Sequence, residues 1–212
     1  MTGLLYLPNV TPAESALLRK KGEIIRILPA MLILASASPA RQELLREAGF
    51  RFRVLPAHVP ELKGRGRTLG ETVLENARRK ARPVARRNTG EWVLAADTMI
   101  EFEGRIYGKP GDRKEGVELL YRMGGKEHRL ATGVVLRRGK RILERVVESR
   151  VMIRPLDRKT LRKHVTRPQR FAGGYSVREK NDPVVEKVEG SWTNVVGLPM
   201  EVVAPLLVRL LA

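Results

Sequence analysis

Charged residues that end buried strands or lie in Gly- and Pro-rich loops are the parts of this sequence best suited to chemistry. Asp97 follows the continuous apolar run over residues 92–96. An acid at the carboxyl end of a buried strand lies where open α/β sheets build their sites. Burial of a carboxylate is costly unless it has a partner or a task. Asp97 is therefore the strongest single candidate for catalysis.

A second candidate is the Ser-rich turn between the short apolar run at residues 31–34 and the helix predicted after it. Ser38 can cap this helix with its side-chain oxygen, and Pro39 suits the first helical position. The helix start then presents free N–H groups and a partial positive charge, with Arg41 in the first turn. This pattern predicts an anion site suited to phosphate. An ordinary strand–helix junction is the alternative.

Three more charged residues stand out by their position. Glu61 is the only acid in a loop predicted over residues 56–67. Lys80 lies beside the apolar stripe of a helix that starts at the capping box of residues 68–71. Lys109 lies in the turn Gly108-Lys109-Pro110. Taken singly, each could be an ordinary solvated side chain, because charged residues are mostly exposed.

Composition limits the classes of protein that this chain can belong to. At 212 residues, with 42% hydrophobic and 30% charged residues, it is expected to fold around a sizeable core. Cysteine is absent, which excludes disulfides and thiolate catalysis. No apolar run approaches the roughly 20 residues of a membrane span, and no targeting pattern is visible. We therefore expect a cytoplasmic protein that does not bind membranes.

The net charge of +18 invites a nucleic-acid-binding hypothesis, because contacts to phosphates dominate such binding. The basic residues, however, are spread along the whole chain and mixed with Glu. Aromatic residues make up only 5%, too few for an evident base-stacking surface. Charge alone does not choose between nucleic acid and small polyphosphates, although the few aromatic residues make nucleic acid the less expected partner.

The order of predicted elements indicates an α/β fold with a mixed, twisted sheet flanked by helices. Strands are predicted at the apolar runs over residues 31–34 and 92–96 and in a hairpin over residues 99–107. A long antiparallel pair is predicted over 128–153, and a last hairpin is predicted from residues 184–188 and 192–196. Residues 1–30 differ from the rest, and 14–28 could form one amphipathic helix. We interpret residues 1–30 as an N-terminal extension and residues 31–212 as the domain.

Five blocks, in order from Leu32 to near the C-terminus, make the chain resemble the Maf family of nucleoside triphosphate pyrophosphatases. The family's opening L-I-L-A-S-x-S-P-R-R-x-E-L-L is present over residues 32–45 with one change. Its A-D-T and G-K-P blocks occur at 96–98 and 108–110. Its S-G-x-x-H-x-V-x-T-G region resembles 124–133, and its G-S-Y-x-x-V-x-G-L-P ending resembles 190–199.

The resemblance implies a two-lobed fold with a nucleotide cleft, and hydrolysis of an NTP to an NMP and diphosphate as a house-cleaning activity. It implies a divalent cation, Mg²⁺ or Mn²⁺, held by Glu61 and Asp97, hard oxygen ligands that suit such ions. Lys80 and Lys109 join them as catalytic residues, and family members are commonly dimers, so a homodimer is expected. The predicted substrate-binding residues are Ser36, Ala40, Arg41, Thr98 and Arg178.

Departures from the family pattern bear on the preferred base. Thr98 matches the family branch acting on dTTP and UTP, but Ala40 stands where that branch has an Arg, and Arg178 where it has a Gln. We therefore expect hydrolysis of dTTP and UTP, or of a broad or modified set of nucleotides. The alternative is a basic nucleic-acid-binding or cell-division-regulating protein with a vestigial pocket. The three histidines lack metal-ligand spacing and are expected to be structural or surface residues.

Overall fold

The computed structural model describes residues 17–20, 23–26, 32–165, 172–175 and 183–211. Within them the strands are β1 (Leu17–Lys20), β2 (Glu23–Arg26), β3 (Leu32–Leu34), β4 (Phe52–Val54), β5 (Trp92–Phe102), β6 (Arg105–Tyr107), β7 (Glu127–Arg138), β8 (Arg141–Ile153) and β9 (Val185–Glu189). The helices are α1 (Pro39–Glu47), α2 (Leu69–Arg87), α3 (Arg113–Met123), α4 (Arg158–His164), α5 (Trp192–Val196) and α6 (Met200–Leu211).

Seven of the described strands form one mixed sheet. Its order is β4-β3-β5-β7-β8-β9, and β6 pairs with the second half of β5. The strand β3 lies parallel to both β4 and β5, and the remaining neighbours are antiparallel. The predicted α/β fold with a mixed sheet flanked by helices is confirmed. None of the described helices is long and apolar enough to cross a membrane.

Alternation along β3 and β5 decides what covers each face of the sheet. The residues of these strands that pack with α1 and α6 are Leu32, Leu34, Trp92, Leu94 and Ala96. Ile33, Val93 and Ala95 pack on the opposite face, with Ala77 of α2. Because residues two apart in a strand share a face, Asp97 points to the α2 side, where Val93 and Ala95 point. The strand period thus aims the key carboxylate at one helix.

The helix α2 approaches the sheet at Gly133 of β7 more closely than any side chain would allow. A Cβ placed on Gly133 would lie 2.5 Å from the carbonyl carbon and oxygen of Val73 and 2.6 Å from the nitrogen of Leu74. Both are backbone of α2, so no side-chain rotation can relieve the clash. The absence of a Cβ therefore permits the contact that seats α2 on the sheet.

Replacing Gly133 by Ala is expected to lower the free energy of unfolding by about 2–3 kcal/mol, because overpacking forces the α2 backbone to shift. Urea denaturation followed by circular dichroism measures this loss. Gly90→Ala is the matched control, since a Cβ there meets nothing within 4 Å. Equal stability of the two variants would contradict the close contact.

Three elements differ from the sequence-based predictions. The strand expected to end at Asp97 continues to Phe102, because its pairing with β7 extends past Asp97, so this residue lies in the middle of β5 and not at its carboxyl end. The helix predicted over 14–28 is wrong for the described residues there, which form the antiparallel strands β1 and β2. The β-branched pair Ile24-Ile25 favours a strand, and Gly22 disfavours a helix.

The strand predicted at 192–196 is also wrong, because these residues form α5. The Ser191 side chain accepts from the Asn194 N–H, and Gly197 ends the helix with a left-handed backbone.

Candidate active site

The centre of the site is an ammonium group held between two carboxylates. Lys80 Nζ lies 2.6 Å from Asp97 Oδ1 and 2.6 Å from Glu61 Oε1. The side chain of Asp97 is 5% exposed, that of Lys80 12%, and that of Glu61 41%. The strand β5 aims Asp97 at α2, α2 carries Lys80, and the loop between β4 and α2 brings Glu61 from the solvent side. The structure thus brings three of the four predicted catalytic residues into direct contact.

Positive charge dominates around the Glu61 carboxylate. Desolvation alone would raise the pKa of Glu61, but the ammonium of Lys80, with further contributions from Lys109 and Arg41, outweighs it and lowers the pKa. Glu61 is therefore ionised at neutral pH, and its charge is directed into the site. A carboxylate in this state can accept hydrogen bonds or bind a cation.

Arg41 is buried, and most of its hydrogen-bonding capacity is used within the protein. Its Nε donates to the Gly197 carbonyl at 2.8 Å, and one terminal nitrogen donates to Ser36 Oγ at 3.0 Å and to the Ala96 carbonyl at 2.9 Å. The other terminal nitrogen donates to Thr98 Oγ1 at 3.0 Å. A guanidinium has five N–H donors, so at most one remains for a substrate.

The charge of Arg41 nevertheless faces the site. Burial lowers its pKa from the usual value, and the nearby Asp97 and Glu61 carboxylates partly offset that effect. An arginine stays protonated in proteins even when its pKa falls. Arg41 therefore supplies a fixed positive charge beneath the carboxylates, and it ties the turn after β3 to β5 and to the end of α5.

Ser36 and Thr98, both predicted to bind substrate, take part in the same network. Ser36 Oγ accepts from the Ser38 N–H at 3.3 Å as well as from Arg41, and this bond shapes the turn before α1. Thr98 Oγ1 lies 2.8 Å from Thr132 Oγ1, deeper in the sheet. Both hydroxyls are thus held in place. Thr98 also lines the cleft.

Lys109 does not contact the triad formed by Glu61, Lys80 and Asp97, but it lines the same cleft. The residue as a whole is exposed, yet it lines the cleft on both sides of the triad. Desolvation in the cleft wall, followed by the neighbouring cation Arg41, lowers the pKa of Lys109. A cation that other cations destabilise gains most when an anion binds beside it. This is the environment expected of a phosphate-binding lysine.

The triad lies at the junction of two arms of one open cleft. The arms have volumes of about 550 Å³ and 890 Å³, including space open to solvent, and share Ser38, Arg41, Glu61, Lys80 and Lys109. One arm ends against Thr98, Tyr175, Val195, Val196 and Gly197. The other follows the turn at residues 35–39 and passes Pro56 and His58. An elongated ligand with a charged middle fits this shape.

Two predicted substrate-binding residues are not among the residues brought together here. Ala40 lies in the first turn of α1 but is not among the described residues that line either arm. Arg178 falls outside the described residues.

Two residues of the site were missed by sequence reasoning. Asn76, four residues before Lys80 on α2, donates to Asp97 Oδ2 at 2.8 Å. The four-residue spacing from a candidate lysine is the signal that could have identified it. Tyr175 lines one arm, and its hydroxyl lies 2.7 Å from His128 Nε2. His128 itself is buried, as expected of a structural histidine.

Burial lowers the pKa of His128 to about 4. In the unfolded chain its pKa is about 6.5, so between these two values only the unfolded chain binds the proton. The free energy of unfolding should therefore fall as pH falls from 6.5 towards 4, by roughly 2–3 kcal/mol from this residue. Urea denaturation at pH 7 and pH 4.5 tests this.

His128→Gln should lose this part of the pH dependence, whereas the same change at exposed His58 should keep it. An unchanged pH dependence in the His128 variant would contradict the assignment.

The donor set is compatible with a divalent cation. Glu61 Oε1 and Asp97 Oδ1 converge on one point, which is marked by the Lys80 ammonium. In the described part of the chain no group of three or more His, Asp or Glu side chains could form a closed metal cage. Mg²⁺ needs no such cage, because it is commonly held by one or two carboxylates together with water and substrate phosphates. The two carboxylates therefore fit an ion that arrives with a phosphate ligand.

Comparison with known proteins agrees with this geometry. A dTTP/UTP pyrophosphatase of Thermus thermophilus is 38% identical over 153 residues, covering 70% of this chain and 80% of the relative. A protein of the same name from Symbiobacterium thermophilum is 38% identical over 132 residues, covering 61% and 68%. One from Aromatoleum aromaticum is 38% identical over 117 residues, covering 54% of this chain and only 57% of the relative. Residues 31–210 match the family model of Maf-like proteins, and the chain belongs to this family.

Proposed function

We propose that this protein is a nucleoside triphosphate pyrophosphatase that hydrolyses an NTP to an NMP and diphosphate. The observation that carries the proposal is the Lys80 ammonium in contact with both Asp97 and Glu61, at the junction of two arms of a cleft. Arg41 and Lys109 border the same point. Three cations and two carboxylates thus surround the middle of a ligand that reaches into both arms.

The cations suit the charge that develops during phosphate chemistry. In phosphoryl transfer, catalysis consists mostly of positioning and of electrostatic stabilisation of the phosphate oxygens. Lys109 lines the cleft, where it can contact a phosphate, and desolvation, followed by the nearby Arg41 cation, lowers its pKa. Arg41 acts at the same place through its buried charge. The triphosphate is therefore bound across the junction of the arms.

The reaction itself needs a water molecule and a base. The water oxygen attacks the α-phosphorus, the bond from that phosphorus to the α,β-bridging oxygen breaks, and diphosphate leaves with the electron pair. The water proton passes to a base, for which Asp97 is the best placed. Its two oxygens each accept one hydrogen bond from the protein, which leaves further lone pairs directed into the cleft.

Glu61 and Asp97 would hold Mg²⁺ or Mn²⁺ together with phosphate oxygens of the substrate. The ion, when bound, supplies positive charge at the phosphates and lowers the pKa of a coordinated water. The Lys80 ammonium occupies the same position between the carboxylates. It lowers the pKa of Glu61 and holds the Glu61 carboxylate close to that of Asp97 in the absence of substrate, which prepares the pair for the cation.

The names of the relatives indicate dTTP and UTP as the preferred substrates. Thr98 agrees with this preference, and the arm beyond it, bounded by Tyr175, Val195 and Val196, is suited to a flat base. The alternative of a nucleic-acid-binding protein with a vestigial pocket has no comparable support. In a vestigial site we would not expect the Lys80 contacts to both carboxylates to be retained.

A substrate panel tests the proposal. The purified protein is incubated with Mg²⁺ or Mn²⁺ and dTTP, UTP, CTP, GTP or ATP, and diphosphate and orthophosphate are measured separately. Diphosphate release, fastest with dTTP and UTP, is expected. Orthophosphate alone would indicate another phosphatase. Tight, steeply salt-dependent binding to DNA or RNA without turnover of any nucleotide would support the alternative.

A further inference from the structure

A buried asparagine joins the Asp97 carboxylate to the loop that carries Glu61, without contributing a charge. Asn76 is 1% exposed and lies four residues before Lys80, on the same face of α2. Its Nδ2 donates to Asp97 Oδ2 at 2.8 Å, while Lys80 donates to Asp97 Oδ1 at 2.6 Å. Each oxygen of Asp97 is thus held by a different residue of one helix, which fixes the plane of the carboxylate.

Asn76 also binds the loop that carries Glu61. Its Oδ1 accepts from the Leu62 N–H at 2.8 Å, and its Nδ2 donates to the Leu62 carbonyl at 3.2 Å. The side-chain amide therefore pairs with the backbone of Leu62 as a neighbouring strand would. The adjacent residue, Glu61, is bound by Lys80. Two residues of α2 thus anchor two consecutive residues of the loop.

These anchors matter because the loop has little structure of its own. Residues 55–68 contain no strand or helix, so side-chain contacts decide where Glu61 lies relative to Asp97. The Lys80–Glu61 contact is at the exposed end of the site and would be disturbed when a cation or phosphate binds between the carboxylates. The Asn76–Leu62 contact is neutral and is not part of the cleft lining. It can remain in place while the charged contacts rearrange.

We propose that Asn76 is a positioning residue of the hydrolytic reaction: it sets the distance and orientation between the carboxylates of Glu61 and Asp97. The proposal rests on the proposed function. Only an amide supplies this set of contacts, because one acceptor faces the Leu62 N–H and two donors face oxygen atoms. An aspartate would keep the acceptor, lose both donors and place a second negative charge beside Asp97.

The test compares Asn76→Ala and Asn76→Asp with a buried control on the same helix. Thr72 is fully buried one turn earlier, and its hydroxyl donates to the Thr68 carbonyl outside the site. Both Asn76 variants are expected to lower kcat for diphosphate release by about 100-fold, with KM for the nucleotide changed less than about threefold. Thr72→Val should keep kcat within about twofold.

The second readout is hydrogen exchange of the peptide containing Leu62, measured in the nucleotide-free protein. Asn76→Ala should speed exchange there by about tenfold or more, because the Leu62 N–H loses its acceptor. Thr72→Val should leave this exchange unchanged. Rates are normalised to the folded fraction measured by circular dichroism, so that a loss of stability alone does not imitate the effect.

The proposal is overturned if either Asn76 variant keeps kcat within about threefold of the natural protein, or if exchange at Leu62 is unchanged in Asn76→Ala. It is also overturned if KM rises while kcat stays the same. If the natural protein hydrolyses no nucleotide, the proposed function is wrong. The contact between Asn76 and the Glu61 loop is then judged by the exchange result alone.

Discussion

Replacing Asp97 by Asn is expected to lower kcat for diphosphate release by about 10³-fold or more, the largest effect of any single change at the site. The amide cannot accept the water proton and is a much poorer ligand for a cation. Its NH₂ group would also face a donor, either Lys80 or Asn76, because both present N–H groups to the two oxygens of Asp97. Steady-state kinetics with dTTP and UTP measure the loss.

The matched control for Asp97 is Glu144→Gln. Glu144 is paired with Arg78 of α2 at 2.6 Å, so it also contacts this helix, but it lies outside the cleft. Its variant should keep kcat within about threefold, because the ion pair lies outside the cleft. Its loss should also change the stability of the fold little, since partly exposed ion pairs contribute little to it. Activity of Asp97→Asn above about one tenth of the natural level would exclude Asp97 as the base.

Replacing Arg41 by Lys is expected to lower the free energy of unfolding by about 3 kcal/mol or more, although the charge is kept. One ammonium cannot reach the acceptors at Ser36, Ala96 and Gly197 together, and these oxygens lie in different parts of the chain. The unpaired acceptors are buried, where each missing donor is costly. Urea denaturation monitored by tryptophan fluorescence measures this effect.

Arg46→Lys serves as the control for Arg41. Arg46 lies on the exposed side of the same helix, where it donates to Gln42 and contacts the ring of Phe52. Its replacement should change the free energy of unfolding by less than about 1 kcal/mol. If Arg41→Lys proved as stable as Arg46→Lys, the four internal hydrogen bonds of Arg41 would not be a structural necessity.

The position of Asp97 and Lys80 followed from periodicity in the sequence. The apolar run before Asp97 predicted a strand covered on both faces, and the apolar stripe beside Lys80 predicted an amphipathic helix. Strand residues two apart share a face, and the structure places Asp97 on the face covered by α2. These arguments need only local sequence, because strand and helix periods determine them. For that reason the strand and the helix were found as predicted, whereas the end of the strand was not, because pairing with β7 carries β5 on to Phe102.

The role of Arg41 could not be predicted in the same way. Its position in the first turn of a helix indicated a phosphate contact, but its acceptors on Ala96 and Gly197 lie 55 and 156 residues away in the chain. Nothing in the local pattern reveals such partners. The spacing of Asn76 from Lys80 could have placed it on the same helix face, but not revealed its partners Leu62 and Asp97, which come together only when the loop folds over α2.

The strand wrongly predicted over 192–196 has a local explanation. The Val195-Val196 pair favours a strand by propensity. Ser191, Asn194 and Gly197 carry the helix signals, since Ser191 caps the start and Gly197 supplies the positive φ of +119° at the end. Capping outweighs propensity in so short a helix. The result places the Gly197 carbonyl within reach of Arg41, so this correction also concerns the site.

The most direct test of the proposed reaction is hydrolysis of dTTP in water enriched in oxygen-18, followed by mass spectrometry of both products. Attack on the α-phosphorus at the junction of the two arms predicts that the label enters dTMP and that diphosphate is unlabelled. Label in diphosphate or orthophosphate, with unlabelled dTMP, would contradict the proposed attack and the role given to Asp97 in it.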